Sequence, residues 1–244
     1  MKTSNPAISE RVLERISGLA AVGETMTVDG TITKIGILLG LLLVGFVIPL
    51  AYPGMIPMWI MVGFIGGLIF AVATIFKPEW APVTAPVYAF LEGLAIGSLT
   101  ILANDQFPGI GIQAGFLTFG VFVSMLTAYR TGLIKVTEQF KAGVVAATGA
   151  IFVVYLISMV LNLFGIPMPY IHEAGILGIG FSIVVVGIAA LNLVLDFDFI
   201  DEGAREGLPK IMEWYGAFGL MVTLIWLYIE VLRLLIKIRT VLDD

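Results

Sequence analysis

The sequence has no cysteine, a single histidine and only 13% charged residues over 244 positions. Without cysteine there are no disulfides, no thiolate nucleophile and no thiolate-ligated metal. His172 sits in a linker beside Glu173 with no second ligand nearby, and it reads as a loop residue. The low charge separates the chain from ordinary globular domains, which are about 25% charged. Other absences exclude activities. There is no HExxH zinc motif, no glycine-rich phosphate loop, and no Ser–His or Ser–Lys pair inside an apolar run for intramembrane proteolysis. Lys237 lies too near the end of the last apolar run to carry retinal. No segment is basic and aromatic enough for nucleic acid. The chain is therefore expected not to be an enzyme, and to use no organic cofactor and no nucleic-acid partner.

Apolar residues dominate instead: 59% of the chain, with mean hydropathy +1.04. A membrane-spanning helix needs about 20 mostly apolar residues. Seven such stretches occur, at 33–52, 57–76, 82–103, 109–129, 142–164, 174–197 and 211–235. Turn residues punctuate them: Tyr52-Pro53-Gly54, Lys77-Pro78-Glu79, Asn104 to Gly109, Gly165 to Pro169, and Gly203 to Pro209. The predicted architecture is all-α, a polytopic membrane protein with a seven-helix transmembrane domain over 31–244. A polar arm of residues 1–30 precedes it. The arm has no apolar core, so it is not read as a signal peptide. Its Ser9–Ile16 segment has the pattern of one or two amphipathic turns, too short and too balanced in charge to anchor in lipid.

Lysine and arginine alternate between linkers. Lys77, then Arg130, Lys135 and Lys141, then Arg205 and Lys210 occupy every second linker, and the others have none. Lys2, Arg11, Arg15 and Lys34 lie on the N-terminal side. The positive-inside rule then places the N-terminus in the cytoplasm. Arg233, Lys237 and Arg239 near the C-terminus conflict with that count. The last helix is expected to span despite them rather than to re-enter. Glycines four apart (Gly36/Gly40, Gly63/Gly67, Gly93/Gly97, Gly111/Gly115) are expected to allow close helix packing within one bundle.

Against this background a few acids stand out, because a charged side chain in hydrocarbon costs a few kcal/mol or more. Glu92 is near the middle of the third span, beside Gly93 and Gly97. It is expected to tolerate Gln but not Lys. Asp196 and Asp198 end the sixth span, in an acidic run that continues through Asp201 and Glu202. Glu213 opens the seventh span, and Glu230 lies late in it, three residues before Arg233. If the turn between the last two spans centres near Arg205, antiparallel geometry brings Asp198 level with Glu213. Two close carboxyls titrate as a unit and share a proton, or hold a cation when both are ionised. The five acids are the candidate proton- and ion-sensing residues. Asp198, Glu213 and Glu230 are the candidate Ca²⁺ ligands.

The order of several segments resembles the Bax inhibitor-1 family of membrane proteins, in its bacterial branch with an extended N-terminal arm. The segments are Asn5-Pro6, Met26 to Lys34, Ala85 to Gly97, Leu195 to Ile200, and Glu213-Trp214-Tyr215 through Trp226 to Arg233. The resemblance implies a seven-helix bundle with the last helix central, in a bacterial inner membrane. It implies a pH-sensitive leak for cations, chiefly Ca²⁺, governed by acids on helices six and seven. By position the helix-six acid resembles Asp198 or Asp196, and the helix-seven acid resembles Glu230. Antiparallel geometry favours Glu213, and all remain candidates. Some relatives act instead as non-transporting modulators of a membrane quality-control protease. In that case the acids are structural and the arm is the contact.

Overall fold

The computed structural model describes residues 24–165 and 175–243. The Ser9–Ile16 turns, Asn5-Pro6, His172 and Glu173 lie outside the described residues. Among those described, seven helices are long and apolar enough to cross a membrane. They are α1 (Val28–Ala51), α2 (Ile56–Phe76), α3 (Ala81–Gln106), α4 (Ile110–Arg130), α5 (Glu138–Leu163), α6 (Ile176–Glu206) and α7 (Met212–Asp243). The fold is all-α and the protein is a multi-pass membrane protein.

The helices begin and end where caps and turns dictate. Thr27 caps α1, its hydroxyl accepting from the Gly30 amide, and Asp29 lies in the first turn, where the helix dipole favours an acid. Thr137 caps α5 in the same way through the Phe140 amide. Pro53 and Pro78 open short 3₁₀ turns before α2 and α3. α7 is one unbroken helix from Met212 to Asp243, so the re-entrant alternative is not adopted.

Contacts divide the chain into two compact units. One comprises Met1–Leu102 with Asp196–Ile225, the other Ala103–Leu195 with Trp226–Asp244. In the first, α3 lies at backbone distance from both α1 and α2. Gly45 of α1 meets the Phe90 carbonyl and Gly93, and Gly97 meets the Phe46 carbonyl. On α2, a methyl group at Gly63 would stand 2.7 Å from Ala95 and from the Leu91 carbonyl. In lipid, where burial gives helices little drive to associate, such close approach supplies the packing. Over its most apolar window α3 is 61% enclosed by the chain, against 17% for α1 and α2 and 44% for α7. The last helix nonetheless supplies Met212, Glu213, Leu220, Met221, Leu227 and Glu230 to the largest fully buried side chains among the described residues.

The glycine expectation holds for Gly63/Gly67 and Gly93/Gly97 but not for Gly36/Gly40, which face open space. Gly115 is also open, whereas Gly111 is buried and donates its amide to Asn104 Oδ1 at 3.0 Å. Spacing alone does not say which face of a helix its neighbours occupy.

Candidate functional site

In the first unit the start of α1 is docked onto the α6–α7 turn. Glu213, only 1% exposed, accepts through Oε1 from the Thr27 amide at 3.1 Å and the Thr27 hydroxyl at 2.9 Å. Its Oε2 pairs with Lys34 Nζ at 2.8 Å. Gly30 gives it room: a Cβ at that position would collide with the carboxyl. The first two turns of α1 therefore offer a carboxylate two donors from Thr27 and a cation, Lys34, seven residues further on. Just before it, the Met26 amide donates to the Leu208 carbonyl at 2.6 Å and the Lys210 amide to the Glu24 carbonyl at 2.9 Å. Thr25 and Pro209 form an antiparallel bridge. The side chains of Lys210 and Glu24 form a solvent-exposed ion pair. This pair lowers the Glu24 carboxyl pKa and raises that of Lys210, mainly through the hydrogen bond they share.

The expected pairing of Asp198 with Glu213 is not the register adopted. α6 continues to Glu206, and Gly207 makes the turn at φ +70°, a conformation glycine adopts without strain. The hairpin thus centres near Gly207 and Leu208 rather than Arg205. Gly216 then lies against Ile200 and Phe199, and Gly219 against Asp196 Oδ1 (3.6 Å from a built Cβ). Asp198 falls between these rungs, level with Ala217. The helix-six acid that faces α7 is Asp196. Its side chain is within hydrogen-bond reach of Thr223, whose hydroxyl also lies 3.3 Å from the Gly219 carbonyl. Asp196 Oδ2 is buried and has no hydrogen-bond partner among the described residues.

Glu92, 8% exposed, projects from α3 against Gly67 of α2. One turn earlier, Tyr88 packs edge-on against Phe218 of α7, with ring centres 5.0 Å apart.

In the second unit Glu230, 2% exposed, lies with both oxygens 3.0 Å from the Tyr155 hydroxyl of α5, which donates to it. Arg233 Nη1 stands 3.3 Å from Oε1, and its guanidinium lies 5.5 Å from the Tyr155 ring centre. Further along α7, Lys237 is buried and donates to the Gly178 carbonyl at 3.1 Å and to Ser182 Oγ at 2.9 Å, both on α6. Asn192 of α6 donates to Thr148 of α5 at 2.8 Å. The sequence does not single out Tyr155, and it marks Lys237 only as a basic residue near the end of the last span. A signal was present, since Thr223, Glu230 and Lys237 are spaced by seven and share one face of α7.

Among the described residues no three acids or histidines are grouped so as to hold a metal ion. Glu213 is held by Lys34 and Thr27, and Glu230 by Tyr155 and Arg233.

The family profile described as Bax inhibitor 1 like matches residues 5–240. The chain belongs to the Bax inhibitor 1 like family. No curated protein and no solved structure matches it. Family membership covers every buried carboxyl described above. The Bax inhibitor 1 like chain thus carries its acids on α3, α6 and α7, two of them already neutralised by a cation of the same unit.

Proposed function

We propose that this protein is a proton-sensitive leak for cations, Ca²⁺ foremost, in a bacterial cytoplasmic membrane. In this reading the N-terminus and the linkers bearing Lys77, Arg130 and Arg205 face the cytoplasm. The observation that carries it is the Asp196 carboxyl. Glu213 and Glu230 each have a cation and a hydroxyl as partners, whereas Asp196, with the Thr223 hydroxyl beside it, keeps a buried Oδ2 without a hydrogen bond. Glu213 Oε2 also lacks a well-aligned hydrogen bond, but the Lys34 ammonium stands 2.8 Å from it. A buried polar atom without a partner costs free energy, and a proton or a partly dehydrated cation removes that cost. Asp196 also stands where α6 meets α7, beside Thr223 and Gly219. A change of charge there acts on the packing of two helices, the kind of local event that biases a two-state element. Ca²⁺ is cargo in this scheme rather than a resident ion.

The test is Ca²⁺ flux in liposomes containing purified protein, measured across the physiological pH range. Asp196→Asn is expected to abolish the pH dependence while the protein remains folded. Asp198→Asn is expected to keep most of it, because Asp198 stands level with Ala217 rather than with a second acid. Full pH dependence in Asp196→Asn rejects the mechanism.

A second reading is favoured by the ion pairs of Glu213 and Glu230. Carboxylates held in this way act as structural ties, as they would in a non-transporting modulator of a membrane protease. Absence of Ca²⁺ flux at every pH, with the purified protein folded, selects that reading.

A further inference from the structure

The four residues before α1 do more than lead into a helix. Met26, 1% exposed, inserts its side chain into a core formed by Ala81 of α3, Ile200 of α6, and Met212 and Tyr215 of α7. Two glycines make the space. A methyl on Gly203 of α6 would stand 3.0 Å from Met26 Sδ, and one on Gly216 of α7 would stand 3.5 Å from its Cε. Methionine, unbranched and flexible, is suited to filling such a gap and to leaving it. Besides this apolar packing, the ties that hold Met26 in place are short and polar. Two backbone hydrogen bonds join it to the α6–α7 turn, the Glu24–Lys210 pair is exposed, and Glu213 receives Thr27 and Lys34. Exposed ion pairs contribute about 0–1 kcal/mol. The segment is thus held chiefly by one buried carboxylate and one apolar plug.

We propose that residues 24–27 form a latch on the first unit, with Met26 as the bolt and Glu213 as its keeper. While the latch is closed, the bolt fills the space between Gly203 and Gly216 and ties α1 to the start of α7. When it lifts, that end of the α6–α7 hairpin gains a water-accessible cavity lined by Ala81, Ile200 and Tyr215, and α7 is free to shift relative to α1. The inference does not depend on what the protein conducts. It concerns what must move before this end of the unit can open.

The native absence of cysteine makes the test direct. Ala81→Cys, fully buried beneath the bolt, reports on the latch. Ala189→Cys, equally buried in the second unit, reports on global unfolding. Labelling by a charged thiol reagent is followed on the full chain in detergent. Glu213→Gln, Thr27→Ala and Met26→Ala are each expected to speed labelling of Ala81→Cys by about tenfold or more, while Ala189→Cys stays protected, as local opening requires. Unchanged protection of Ala81→Cys in Glu213→Gln and Met26→Ala overturns the proposal. So does simultaneous exposure of both reporters in all three variants, since the contacts would then hold the whole fold rather than a latch.

Discussion

The Tyr155 hydroxyl lies 3.0 Å from both carboxylate oxygens of Glu230, joining the second half of α5 to the middle of α7. Tyr155→Phe removes this donor and leaves Glu230 with Arg233 alone. Hydrogen bonds to charged groups contribute about 1.5–3 kcal/mol. A destabilisation of that size is expected, read as an earlier thermal unfolding midpoint in detergent. Glu230→Gln, which keeps an acceptor for Tyr155, is expected to cost less than Glu230→Ala.

The contact between Gly67 and Glu92 gives a second expectation. Gly67→Ala places a methyl against Glu92 Oε1, and overpacking costs about 1–3 kcal/mol. Glu92→Gln is expected to fold, and Glu92→Lys is not, since the longer cation has no acid facing it at Gly67. In the double variant Gly67→Ala/Glu92→Ala the methyl no longer meets a carboxyl. Its stability should therefore exceed the sum of the two single effects, a coupling that a double-mutant cycle measures.

Orientation can be read by surface labelling. Cysteine at Gln106 is expected to react with an impermeant reagent added outside the cell, and cysteine at Lys135 is not. The reverse pattern would mean that the charge alternation has been read upside down.

Acid should loosen the strap before α1. The Glu24 carboxyl titrates below its ordinary value of 4.5 because Lys210 favours its charged form. A depressed carboxyl contributes stability above its unfolded pKa and loses it as pH falls through the folded value. The Glu24–Lys210 tie is therefore intact at neutral pH and lost only below pH 4.5. Protection of the Met26 amide, which donates to the Leu208 carbonyl, against hydrogen exchange should fall in that acid window, and Glu24→Gln should remove this pH dependence.

Hydropathy located all seven helices but misplaced their ends, and the misplacement had a consequence. An apolar window marks where hydrocarbon begins, whereas a helix continues until its backbone finds a cap. α1 starts at Val28 because Thr27 caps it there, and α6 runs to Glu206, well past the apolar stretch that ended at 197. That overrun moved the hairpin centre and put Asp196, not Asp198, against α7. The partners of the acids were legible only when they lay one turn away, as Arg233 does from Glu230. Lys34 and Tyr155 are 179 and 75 residues from their carboxylates, and no periodicity links them.

Lys237 brings out one more consequence. Two acceptors for its ammonium, the Gly178 carbonyl and the Ser182 hydroxyl, belong to α6. The late part of α7 thus takes part of its polar satisfaction from its neighbour, so packing of the two helices, rather than insertion of α7 alone, completes the hydrogen bonding of this lysine.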